Sequence, residues 1–383
     1  MLIGFDGSRI AKKFHTGTEV YSTEILKAIA KLDYKNKYII YTPRPIEDRT
    51  GKLPENFEFK IIPFPKLWTQ FRLSAEMLFC KKPDLLFIPS HTIPLVHPEK
   101  TIVTIHDLAF KHFPELFSGA DLAYQNFGLN LAVKNAAHVI TVSENSKKDI
   151  VKYTGINPNK ISVIYHGYDQ SLYKPLTQEE IDRNNRLKNN SLIASDIISK
   201  MPYIFFVGRL EEKKNVLGLI KAYQLLRKEP KIKHKLVLAG NPGYGYDKIK
   251  ECISALPKDI KNDIIELGYV NNQKLADWMK NADVFFFPSL FEGFGIPVIE
   301  AMASGVPVIA SNTTSIPEIV GSAGVLIDPH KTYDMAVALS KVINDKKFKS
   351  SLISKGKVRA SMFSWQKSAE KTLKVFEKVS GKI

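Results

Sequence analysis

At 383 residues the chain exceeds what one ordinary hydrophobic core accommodates, and two domains of similar size are expected. Hydrophobic residues make up 44% and charged residues 25%, which excludes a disordered chain, and no apolar run is long enough to span a bilayer. The net charge of +16 is spread over the sequence, with 22 basic and 16 acidic residues in 1–165 and 33 and 23 in the remainder, so no basic arm argues for a nucleic-acid partner.

The opening MLIGFDGSRI reads as a strand and not as a secretory leader, whose basic start and apolar stretch it lacks. A helix follows over 18–31, with Val20, Tyr21, Ile25, Leu26 and Ile29 at helical spacing. Strands are then expected at 38–42, 57–63, 84–89, 101–107 and 138–143, the last two rich in β-branched residues, as buried parallel strands are. A helix over 122–134 separates those two, and another starts at the cap-like Ser143. The segment 161–167 closes this half. Residues 171–200 are polar and poor in aromatics, and read as a connector.

The strand-and-helix pattern then restarts. Strands are expected at 203–209, 235–240, 263–270, 283–289, 307–311 and 324–328, with helices at VLGLIKAYQLLRK, KLADWMKNA and Gly295–Ala303. A last helix, about 366–383, carries an apolar stripe of Leu373, Val375, Phe376 and Val379 and is expected to pack back on the first domain. The division is therefore 1–170, a connector at 171–200, and 201–365. Both halves read as α/β domains with doubly wound parallel sheets, in which ligands bind beyond the carboxyl ends of the strands. The two cysteines, Cys80 and Cys252, lie far apart without a metal-binding spacing, which fits a reducing, cytoplasmic setting.

Chemistry-bearing residues fall just after strands. The string FPSLFEGFGIPVIEAMASGVPVIAS (287–311) joins a strand to a helix through Glu292, Gly293, Phe294 and Gly295, with the helix opening at Ile296–Pro297. Glycines allow close approach of a ligand, and the helix N-terminus offers amide donors and a positive dipole end to a pyrophosphate. Glu300, eight residues after Glu292, can accept paired hydrogen bonds from a sugar or ribose diol. In FFVGRLEEKKN (205–215), Gly208 turns the chain out of a strand, and Arg209 and Lys214 offer a planar fork and a point charge to phosphate oxygens. The competing reading of these charges is a solvated loop.

These stretches resemble the nucleotide-binding half of the family 4 (group 1) glycosyltransferases. The pattern of two glutamates separated by seven residues is met by Glu292 and Glu300, and the Gly-Arg…Lys element by Gly208, Arg209 and Lys214. The resemblance runs from about Tyr203 to Asp328 and continues more weakly through the N-terminal half. It implies the GT-B fold: two Rossmann-like domains facing across a cleft, the first binding acceptor and the second the nucleotide sugar. By the same resemblance Glu292 lies by the donor sugar, Glu300 holds the ribose, Arg209 and Lys214 hold the diphosphate, Phe294–Ile296 meet sugar and phosphate, and Val270 meets the base. Gly17, in HTGTEVY (15–21), takes the place of a glycine that approaches the donor phosphates. That loop is not a dinucleotide-binding GxGxxG, so no nicotinamide cofactor is expected.

His106, in TIHD at a strand exit, is placed near the donor sugar by the resemblance; the alternative is a core histidine paired to backbone. Asp107, Ser143 and His166 are candidate acceptor contacts. For Ser143 a helix cap explains the residue equally well, and for His166 a solvent-facing turn does. The segment HDLAFKHFPELF further resembles bacterial mannosyltransferases of surface-polysaccharide assembly. The expectation is retaining transfer of a hexose, mannose or glucose type, with no metal and no cofactor beyond the donor, to a glycan or lipid-linked acceptor, with closure of the two domains over the donor. Basic residues such as Lys12, Lys13, Lys81 and Lys82 would suit the inner face of an anionic membrane. The alternative is a degenerate scaffold or partner subunit that binds nucleotide without turnover.

Overall fold

A computed structural model describes residues 1–12, 17–180, 182 and 201–381. The chain divides into two compact units, Met1–Gly167 with Ser364–Ile383, and Tyr168–Phe363.

The first unit is built on seven parallel strands: β1 (Leu2–Asp6), β2 (Lys37–Thr42), β3 (Phe57–Ile61), β4 (Leu85–Ile88), β5 (Thr101–Ile105), β6 (His138–Thr141) and β7 (Ile161–Val163), in the order β3-β2-β1-β4-β5-β6-β7. Every residue of β4, β5 and β6 is buried, which is why LLFI, TIVTI and HVIT do not alternate: both faces of the sheet are covered. Ile3 pairs with Tyr38 on one side and Leu85 on the other, which sets β1 inside the sheet between β2 and β4. Phe5 meets Phe87 edge-on at 5.5 Å, and Phe87 meets Phe376 at 5.2 Å, so the Trp365–Ser380 helix completes this unit's core. Ser364 caps that helix by accepting from the Lys367 amide, and Gly381 ends it at φ +75°. Gly167 allows the close approach: a Cβ there would stand 2.1 Å from the Trp365 backbone nitrogen.

The second unit carries six parallel strands: β8 (Tyr203–Val207), β9 (Lys235–Ala239), β10 (Ile264–Gly268), β11 (Val284–Phe287), β12 (Val308–Ser311) and β13 (Val325–Ile327), in the order β10-β9-β8-β11-β12-β13. Its core is aromatic, with Phe205, Phe206, Phe285, Phe286 and Phe287 all buried. The Ile296–Ala303 helix packs beside the Lys346–Ala360 helix, and the Thr332–Asn344 helix packs beside Val216–Leu226. Part of the polar stretch read as a connector lies on this unit: Tyr173 is buried, and Glu180 pairs with Lys280 at 2.7 Å. Residues 181 and 183–200 of that stretch lie outside the described residues.

Each sheet has a switch point, between β1 and β4 in the first unit and between β8 and β11 in the second. There the chain leaves neighbouring strands in opposite directions and opens a crevice at their carboxyl ends. Among the described residues, no helix is long and apolar enough to cross a membrane.

Candidate active site

The second unit places its chemistry at the switch point. After β8 the chain runs through Gly208 and Arg209 to a short 3-10 turn, Glu212–Lys214, and the Leu290 amide donates to the Lys213 carbonyl, tying this loop to the one after β11. Lys214 Nζ lies 2.5 Å from Glu292 Oε1, with only 16% and 11% of the two side chains exposed. The ammonium also stands 5.6 Å from the centre of the Phe287 ring.

The Glu292–Gly295 loop is held from beneath by the segment after β12. The Glu292 amide donates to Thr314 Oγ1 at 3.1 Å, and Ser315 Oγ donates to the carbonyls of Glu292 and Phe294 at 2.9 and 3.0 Å. Gly295 stands at the helix Ncap with φ +102°, no side chain caps this end, and Pro297 brings no N–H. The tip of the Ile296–Ala303 helix is thus backbone without a side-chain cap, just beyond the glutamate that Lys214 meets. A Cβ at position 295 would come 2.7 Å from Ile316 Cδ1 in a conformation that L residues rarely adopt. Gly295→Ala is expected to lower the thermal midpoint by about 3–6 °C; an unchanged midpoint would show that the bend relaxes freely.

Glu300 sits one turn further along the helix, with its carboxyl against the Tyr173 hydroxyl. Burial pushes its pKa from 4.5 up to about 8; the Tyr173 hydrogen bond lowers it, and the nearby Asp169 charge raises it. Tyr173 and Asp169 escaped the sequence reading because they lie in and beside a polar stretch with no strand-exit signal.

The two expected phosphate cations part company. Lys214 meets the Glu292 loop, whereas the Arg209 guanidinium lies 3.7 Å from Glu211 and is 63% exposed. Glu211 is itself buried, with Lys213 3.9 Å away, so Arg209 answers a local acid. Val270 lies two residues beyond β10, at the carboxyl edge of the same sheet, three strands from β11.

In the first unit His106 follows β5 directly, and its Nε2 lies 3.1 Å from the Pro89 carbonyl, so that nitrogen carries the proton. Burial lowers its pKa, and its ring packs 4.8 Å from Tyr21 and 5.6 Å from His166. The core pairing to backbone and the strand-exit placement therefore hold together. His166 is 4% exposed among Tyr21, His106 and Trp365, which corrects the solvent-facing alternative; burial holds its pKa well below the usual histidine range. The Ser143 hydroxyl is buried and accepts from the Ser146 amide as a helix cap. Asp107 Oδ1 accepts from the Ala109 amide at 2.9 Å. Gly17 is the first residue of the Gly17–Ala30 helix and has open space around it, whereas His15 and Thr16 lie outside the described residues. His91, which the sequence reading passed over, lies beyond β4, a strand that flanks the first unit's switch point, and burial takes its pKa to about 4. The strand-exit rule that found His106 would have found it.

A family model for glycosyl transferases group 1 matches residues 189–359, and one for glycosyltransferase family 4 matches residues 15–172. The O-antigen chain mannosyltransferase B of Escherichia coli is 28% identical over 379 residues, covering 94% of this chain and 96% of that protein. The serotype-specific mannosyltransferase WbdA of E. coli is 25% identical over 76% of this chain, which spans only 34% of WbdA. Among solved structures, Anabaena HepE in complex with UDP and glucose superposes with a TM-score of 0.74 at 20% identity, over 99% of this chain and all of that one. WaaG, a glycosyltransferase involved in lipopolysaccharide biosynthesis, gives 0.71 at 16% identity over 97% and 99%. The two parallel-sheet Rossmann-like units and these matches define a glycosyltransferase of the GT-B type. Within that class, the chain belongs to glycosyltransferase family 4 (group 1).

Proposed function

We propose that the chain moves a hexose, with mannose preferred over glucose, from a nucleotide-diphosphate sugar to a glycan or lipid-linked acceptor in cell-surface polysaccharide synthesis. One observation carries this reading: at the switch point between β8 and β11, Lys214 stands 2.5 Å from Glu292, on the loop that leads into a helix N-terminus no side chain caps, so a diphosphate there would have a cation on one side and amide donors further along the loop. The mannosyltransferase similarity over nearly the whole chain supports the sugar, and the nucleotide held by HepE supports the donor class.

In the proposed step the bond between the anomeric carbon and the phosphate oxygen breaks, and the diphosphate takes the electron pair. Lys214 and the helix tip stabilise that charge, so the reading needs no metal. The acceptor oxygen bonds the anomeric carbon from the face the phosphate leaves, and its proton passes to a leaving phosphate oxygen. Retention follows from that geometry. Glu292 orients the sugar once donor phosphate draws Lys214 away from it, Glu300 takes the ribose diol, and Val270 marks the base end. In the first unit, His106 and Asp107 stand at the strand exits where an acceptor would be received.

Purified protein incubated with radiolabelled GDP-mannose and with UDP-glucose, each with membrane lipid extract or oligosaccharide acceptor, is expected to transfer label and to give an α-linked product by NMR. Donor binding without transfer to any acceptor would favour the partner-subunit reading, and an inverted product would overturn the mechanism.

A further inference from the structure

Four rings meet inside the first unit beside the exit of β5. Tyr21, on the Gly17–Ala30 helix, is fully buried. Its ring lies 4.8 Å from His106, 4.9 Å from His166 and 6.1 Å from Trp365. His166 in turn lies 5.6 Å from His106 and 5.5 Å from Trp365. Trp365 thus reaches His106 through Tyr21 and His166. The members are tied down from outside the cluster. Tyr21 Oη lies 3.2 Å from Thr104 Oγ1 on β5, Ser364 caps the helix that Trp365 opens, and Gly167 packs on the Trp365 backbone nitrogen.

Two features separate this cluster from ordinary core packing. The first is its place in the chain. The chain leaves this unit after Gly167 and re-enters it at Ser364. His166 and Trp365 are the ring-bearing neighbours of those two crossings, so both crossings end on one cluster. The second is what stands at its other end. His106 follows β5, and its Nε2 donates to the Pro89 carbonyl at 3.1 Å. A single hydrogen bond lets an imidazole swing about it, so the packed rings set the plane of the His106 ring. Burial lowers the pKa of both histidines, so near neutral pH the two imidazoles pack without mutual repulsion.

We propose that His166 and Trp365 are positioning residues for glycosyl transfer: they set the plane of the His106 ring and tie it to the two segments through which the chain crosses between its units. A close-packed interior passes small displacements from ring to ring, so a shift of either crossing segment is felt at His106. Neither residue needs to touch substrate for this. The role in transfer rests on the reading that His106 meets substrate, whereas the hold on the ring rests on the packing alone.

The test is nitrogen NMR of the full chain carrying isotope-labelled histidine, without substrate, on wild type, W365A, W365F and H166N. The His106 signals are assigned by their loss in H106Q. Wild type is expected to show His106 as one tautomer, protonated on Nε2. W365A and H166N are expected to show a mixture of tautomers, because the ring turns away from Pro89, and W365F, which restores a ring, is expected to return the single form. The nitrogen shifts report which nitrogen carries the proton and barely respond to the missing indole. In transfer assays W365A and H166N are expected to lower kcat about ten- to a hundredfold and to change the donor KM less than about twofold, with W365F recovering most of the loss. A single Nε2 tautomer in W365A and H166N would overturn the proposal. So would equal losses of kcat in W365A and W365F. Should W365A not fold, H166N decides by the same signals. Because the NMR needs no sugar, tautomer mixing in these variants without any transfer by wild type would refute the proposed function and leave the hold on His106 standing. Transfer by wild type with unchanged tautomers in the variants would do the reverse.

Discussion

Lys214→Ala is expected to lower kcat/KM for the nucleotide sugar by about 10²–10³, with most of the loss in kcat, because in the proposed step the lysine acts on charge that develops as the diphosphate departs. The structure makes the case sharper than a lone surface lysine would. Lys214 lies 2.5 Å from Glu292, and both side chains are largely enclosed. Removing the lysine subtracts a cation and leaves a part-buried carboxylate facing incoming phosphate. Two explanations of a slow variant are then possible, and a double-mutant cycle separates them. If the lysine only neutralises Glu292, then K214A/E292Q recovers most of the loss, since the stranded charge is gone. If the lysine meets the diphosphate, the double variant stays at least as slow as K214A, with the added loss that E292Q causes alone. The second outcome is expected, and recovery by the double variant would remove Lys214 from the reaction. Arg209→Ala is a useful companion. Its guanidinium is mostly exposed and turned to Glu211, so the loss is expected to be smaller than that of K214A unless donor binding draws the arginine across.

How this site was readable in advance is physical. Parallel strands buried on both faces spell themselves as unbroken runs such as VFFF and TIVTI, and doubly wound sheets put ligands where those runs end. Lys214, Glu292 and His106 were thus singled out by position, and each lies beyond the carboxyl end of a strand. Strand ends were overread, as at 101–107, because His106 and Asp107 leave the ladder while the sequence still reads as strand exit. Two helices were missed because neither shows a single apolar stripe. Lys346–Ala360 is thick with lysine and serine and shows little apolar periodicity, and its contact with the Ile296–Ala303 helix uses Gly356 against Met302, a small residue that no pattern flags. The π turn Thr69–Leu73 and the Ser74–Phe79 helix it runs into carry apolar residues on their buried and their exposed sides, so no stripe stands out. Arg209 shows the other limit: a sequence places a cation after a strand, but the nearest buried acid decides where its fork points.

The affinity of the free enzyme for its donor is expected to rise with pH, by about tenfold per unit up to pH 8, and then to level off. Glu300 carries the argument. Packed against Tyr173, its carboxyl has a pKa raised from 4.5 to about 8 and is therefore mostly protonated at neutral pH. A ribose diol supplies two hydroxyl donors, which an ionised carboxylate accepts with both oxygens and a protonated one does not. Donor binding near neutral pH must then expel a proton, and the cost vanishes once the pH exceeds the folded pKa. A sugar-linked diphosphate has no ionisation of its own in this range, so the slope reports the protein. The sign for stability is opposite. An acid raised in the folded state contributes stability that is fully present below about pH 4.5 and is lost as the pH climbs through about 8, so the ligand-free thermal midpoint should fall across that window and E300Q should flatten the fall. The neighbours give the strongest check, because they act in opposite directions. Tyr173 lowers the pKa through its hydrogen bond and Asp169 raises it through its charge, so Y173F should move the binding midpoint above 8 and D169N below it. Calorimetric titration of each variant from pH 6 to 9 reads both shifts. Residues that merely shaped the pocket would change affinity by the same factor at every pH, and that parallel displacement would remove Glu300 as the titrating group.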